Sequence, residues 1–155
     1  MSRVAVTLVE LLMVLAILVI LAAVAGIGFS RLDTYLKCQA TRGLMVILDG
    51  ALAEYAQEEG GLPDTTHVQG GTTARSQFLI RSLEAVPASR EVLDRADKRL
   101  FKDLWPKDSP DGQVELYDPW QMPVDYNYVP PASLAVLRSA GPDRLYMTSD
   151  DITNR

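Results

Sequence analysis

Three carboxylates, Asp143, Asp150 and Asp151, fall within nine residues near the C-terminus, with glycine and serine beside them in Ser139–Ile152. Oxygen donors at that density suit a hard cation, and calcium in particular takes about six to eight of them. On composition alone, a solvated acidic tail is the simpler reading. A fourth carboxylate, Glu10, stands at the opposite end, at the start of a long apolar run. A charge there is costly unless it is paired or reaches water. Its bland reading is an ordinary anchor with the carboxylate among lipid headgroups.

Other chemistries lack their residues. His67 is the only histidine and Cys38 the only cysteine. A second histidine ligand, a cysteine cluster and an intrachain disulfide are therefore excluded. No nucleophile motif, phosphate loop, zinc motif or partnered acid–base pair is present, so no enzyme is expected. The net charge is -5, which argues against nucleic acid as a partner.

The elements that must position these residues follow from the hydrophobic pattern. From Leu11 to Phe29 no residue is charged or strongly polar. At helical rise that run spans roughly 28 Å, near the hydrocarbon thickness of a bilayer. An uncleaved anchor, a signal peptide cut after Ala23-Val24-Ala25 and a leader cut before the run all compete. The run is long for a signal-peptide core, which has no use for Glu10. Beyond it, Leu32, Leu36, Ala40, Leu44, Ile47 or Leu48, Ala51 and Tyr55 recur at helical spacing. Gly60-Gly61 and Pro63 stop the pattern. One helix over 7–59 is expected, with a break near Gly26-Gly28 as the alternative.

After a loop at 60–73, two amphipathic helices are expected at 75–85 and 89–104, with Ser89 as a cap. Lys107–Gly112 reads as a turn. Strands are expected at 114–117, 124–129 and 134–139, linked by Pro119–Pro123 and by Pro130-Pro131. The expected fold class is α+β: a long N-terminal helix, its first half spanning the membrane, packed on a small three-stranded antiparallel sheet.

The segment Val6-Thr7-Leu8-Val9-Glu10-Leu11-Leu12 and the apolar residues after it resemble the class III signal of type IV pilins and type II secretion pseudopilins, F-T-L-[IV]-E-L-L. The departures are Ala5 for the usual glycine and Val6 for the usual phenylalanine. The resemblance implies cleavage between Ala5 and Val6 by a prepilin peptidase, and N-methylation of Val6. Glu10 becomes the fifth mature residue, with a filament-assembly role. The freed ammonium of one subunit could then meet Glu10 of a neighbour, which would offset the burial cost of both charges and set their register. Two C-terminal stretches narrow the likeness. Tyr117–Tyr126 resembles the D-P-W-G-x-P-x-x-Y stretch of the major pseudopilin, with Gln121 for glycine. Ser139–Ile152 resembles its S-x-G-x-D…D-D-I calcium loop, which implies Asp143, Asp150 and Asp151 as side-chain ligands, joined by the carbonyls of Ala140 and Leu145.

The resemblance thus implies a leader at 1–5, a transmembrane helix at 6–29, its extracytoplasmic continuation at 30–59 and a globular domain at 60–155 with a helical insertion. It implies a single-pass protein of the inner membrane and a structural subunit of a type II secretion pseudopilus. Such a subunit assembles with its own copies into a filament driven by a separate ATPase. Its partners are other pseudopilins and the inner-membrane secretion platform. The alternatives are a type IV pilin or minor pseudopilin, or a membrane-anchored extracytoplasmic binding domain.

Overall fold

The structure, a computed structural model, describes residues 7–103, 112–132 and 134–155; within its first helix the side chains of 24–30 lie outside that description. The expected cleavage site, Ala5 and Val6, and most of the expected turn at Lys107–Gly112 lie outside it as well. The class is α+β. Helix α1 (Leu8–Glu59) is followed by α2 (Thr72–Ala85), α3 (Pro87–Leu93) and a short 3-10 helix (Lys98–Leu100). The strands are β1 (Phe101–Lys102), β2 (Glu115–Leu116), β3 (Asp125–Asn127), β4 (Val136–Ser139) and β5 (Ile152–Thr153). The chain divides into two compact units, Met1–Leu36 and Lys37–Arg155, and α1 contributes to each.

In the first unit the described large apolar side chains from Leu8 to Leu21 are all exposed, on every side of the helix. Among the described residues no helix is long and apolar enough to cross a membrane, so the expected spanning half is not shown. The description of side chains stops at Ala23 and resumes at Arg31, so the apolar run Leu11–Phe29 ends outside it.

The second unit holds the core. Leu44, Met45, Leu48, Ala51 and Leu52 of α1 pack with Leu79, Ile80 and Leu83 of α2, and with Leu116, Val124, Tyr126 and Leu137. The expected stripe of α1 is therefore right from Leu44 onward, whereas Leu32 and Leu36 are exposed. Helix α1 ends where expected: Gly60 turns to φ 76 and its N–H closes on Ala56 O at 3.0 Å.

Three expectations need correction. The second amphipathic helix ends at Leu93, well before 104, because Asp97 starts a separate 3-10 turn by accepting from the Arg99 N–H. Ser89 does not cap it. The residue is fully buried and donates to Ala51 O on α1 at 2.8 Å. The three-stranded antiparallel sheet has the order β3-β4-β5, so 114–117 is not one of its strands. Leu116 is engaged elsewhere. Its N–H donates to Ser76 Oγ at 3.0 Å, its carbonyl accepts from Val124 N, and its strand pairs with β1. The third strand is the chain end, Ile152–Thr153, which pairs with Arg138 and Ser139.

That pairing makes the acidic segment a hairpin connection between β4 and β5. Asn154 locks it: its side-chain oxygen accepts from Leu137 N, and its side-chain nitrogen donates to Asp49 on α1 at 2.7 Å.

Candidate functional site

The segment 140–151 leaves β4 at Ala140, which is fully buried, and returns at β5. Gly141 makes the bend possible. It has φ 67, and a Cβ there would lie 2.3 Å from the carbonyl oxygen of Asp150, so the two ends of the loop touch through backbone. Arg144 and Met147 also take left-handed conformations. A loop this contorted is held by its carboxylates. Asp143 accepts from Leu145 N at 2.8 Å, Asp150 from Asp143 N at 3.0 Å and Asp151 from Met147 N at 2.9 Å. Asp151 also lies 3.4 Å from the Arg138 guanidinium.

The five expected donors are brought together in part. The Thr148 hydroxyl lies 2.6 Å from one oxygen of Asp150, 3.5 Å from one of Asp151 and 3.1 Å from Leu145 O. Three of the five thus surround one atom. The Thr148 hydroxyl first, and then the Asp143 amide, hold the Asp150 carboxyl below its ordinary value. Among the described residues no three acidic, histidine or cysteine side chains form a group that could hold a metal ion. Each carboxylate is engaged by a nearby N–H, O–H or guanidinium. Donor type and chain path fit a hard cation; the orientation of Asp151 toward Arg138 does not.

A second cluster was not foreseen. Asp118 is fully buried. One of its oxygens accepts from Trp120 N and Met122 N, each at 2.9 Å, and the other from Ser139 Oγ at 2.6 Å. Burial pushes its carboxyl up, against those bonds and the Arg144 charge. Tyr146 ties the loop to the same turn by donating to Pro123 O, and burial raises its hydroxyl strongly. The signal in the sequence was the Asp118-Pro119 pair, a turn former whose side chain bonds its own backbone.

The chain matches no protein-family model, no curated protein and no solved structure.

At the opposite end, Glu10 is exposed and bonded within its own helix. Its carboxylate accepts from the Thr7 N–H and hydroxyl, both at 3.4 Å, while Glu10 N donates to Thr7 Oγ1 at 3.3 Å. Thr7-x-x-Glu10 is thus a capping box, which satisfies orphan donors of the first turn. Threonine three residues before glutamate is the sequence signal of such a box. His67 is exposed, and Cys38 is half-buried and not in a disulfide.

Proposed function

We propose that this protein is a structural subunit of a type II secretion pseudopilus, anchored by the first half of α1 and assembled with its own copies into a filament. The observation that carries the reading is the first unit. It is a helix whose described side chains are apolar and exposed on every face from Leu11 to Ala23. A helix apolar all round needs lipid or other helices about it. The sequence continues the run to Phe29, and Glu10 interrupts it only at its first turn. The compact α+β unit that follows suits an extracytoplasmic domain.

The loop at 140–151 supports calcium as a bound ion. Asp143, Asp150 and Asp151 would hold it with the carbonyls of Ala140 and Leu145, after Asp151 leaves Arg138. The cation would tie the loop to itself and fix the chain end. The residues do no bond-making chemistry in this reading, so the chain is not an enzyme. Prepilin peptidase would cut at Ala5-Val6 and methylate Val6.

The deciding experiment is the N-terminus and intact mass of the protein purified from membranes of its native host. A chain beginning at methylated Val6 supports the reading. A chain beginning at Gly26 makes the segment a signal peptide, and one beginning at Met1 or Ser2 makes it a plain anchor; either outcome sinks the pseudopilus subunit.

A further inference from the structure

We propose that Asp118 is a positioning residue for the acidic loop, acting through Ser139 to fix the direction of the Ala140 carbonyl. The inference rests on the reading of 140–151 as a cation loop and concerns residues outside its expected ligand set.

An ionised carboxylate only accepts, and a serine hydroxyl has a single hydrogen to give. Ser139 Oγ is 2.6 Å from Asp118, so its hydrogen is committed there. Its lone pairs are then free for the Gly141 N–H, which lies at 3.3 Å. Ser139, Asp118 and Ala140 all have no exposed surface, so water does not compete for these bonds. The polarity of the relay runs one way, from the Gly141 N–H to Ser139 Oγ and from the Ser139 O–H to Asp118.

The Gly141 N–H belongs to the same planar peptide group as the Ala140 carbonyl, and in a trans peptide the two point in opposite directions. Holding the N–H therefore aims the carbonyl. The other side of this peptide is fixed too: Gly141 abuts the Asp150 carbonyl so closely that a Cβ would sit 2.3 Å from it. The carboxylate that begins the relay is itself held by the Trp120 and Met122 amides. The Trp120 turn and the acidic loop thus form one hydrogen-bonded unit, although Asp118 and Ser139 stand 21 residues apart.

Asp118→Asn tests the polarity without removing the shape. The asparagine keeps an oxygen for the Trp120 and Met122 amides, and so turns its NH2 group toward Ser139. Ser139 then faces two donors, and its own hydrogen has no acceptor in a dry site. The full-length chain in detergent micelles is titrated with calcium alone, and amide exchange at Gly141 is followed by NMR with and without the ion. Asp118→Asn and Ser139→Ala are each expected to weaken calcium binding about 10–100-fold, the range for residues that orient ligands. They should also speed exchange at Gly141 in the metal-free chain. Asp125→Asn, which removes a carboxylate of β3 paired with Arg75 of α2, should leave both unchanged. Wild-type affinity and wild-type Gly141 exchange in both relay variants would overturn the proposal. If the wild-type chain binds no calcium, the cation reading fails, and the metal-free exchange alone decides: faster exchange at Gly141 supports the relay, and unchanged exchange overturns it.

Discussion

Gln121 has φ 68, in the left-handed region where a side chain costs roughly 1–2 kcal/mol and glycine costs almost nothing. The turn keeps a geometry made for glycine and carries glutamine in it, with Lys102 donating to the side-chain oxygen. Gln121→Gly removes the strain, loses that exposed bond and gives the unfolded chain more freedom. A net stabilisation of about 1 kcal/mol is expected, read as a higher urea midpoint with an unchanged slope. Asp118 makes the pH prediction. Its folded pKa is raised chiefly by burial. A raised carboxyl favours the folded state while protonated, so its contribution is full below the ordinary carboxylate value. That contribution is lost as pH rises through the raised one. Arg144, Ser139 and the two turn amides oppose the shift without cancelling it. The stability difference between wild type and Asp118→Asn should therefore favour wild type most near pH 3 and shrink toward neutrality, measured by urea melts at each pH. A difference that grows with pH would contradict the burial argument.

A buried hydroxyl and a close approach are among the contacts that hold helix α3 to α1. Ser89 Oγ donates to Ala51 O at 2.8 Å, and Gly50 approaches Val92 so closely that a Cβ would lie 3.3 Å from its methyl carbon. Ser89→Ala is expected to cost about 1 kcal/mol, the usual net worth of a lost buried hydrogen bond. The loss should appear as faster amide exchange in α3 before it appears elsewhere. The end of α1 at Gly60 was legible because a glycine pair and a following proline have one local meaning. Ser89 reads as a cap because serine before an apolar helical face looks the same whether its hydroxyl turns to its own backbone or to another helix. Strand β5 escaped because Ile152–Thr153 is too short to show alternation, and its pairing depends on Asn154 standing in for backbone. The expected ligands were legible as acidic residues around a glycine. The direction of each side chain was not, because amides and the Thr148 hydroxyl of the folded loop, together with Arg138 of β4, decide it.

At the scale of the whole molecule, the open question is whether Glu10 serves its own helix or a neighbouring copy. The reciprocal bonds with Thr7 give it a local duty, and a capping box works with glutamine as well as glutamate. Pairing with a neighbour's terminal ammonium needs the charge. Glu10→Gln therefore separates the two roles where Glu10→Ala removes both. If α1 carries a subunit in a filament, Glu10→Gln should leave membrane association and the far-ultraviolet helix signal unchanged while abolishing assembly, read as loss of high-mass species after chemical crosslinking in membranes. Thr7→Ala should do the reverse in kind: it frays the first turn, at a cost of about 1 kcal/mol, but leaves the charge available, so assembly is weakened rather than lost. Equal assembly in wild type and Glu10→Gln would leave Glu10 a cap and nothing more. The register between subunits would then have to come from the exposed apolar faces of Leu8–Leu21, whose surfaces offer area but no distinctive polar pairing to fix one stagger over another. A filament built that way should tolerate single charge-neutral changes anywhere along the run, whereas one keyed by Glu10 should fail at that one residue.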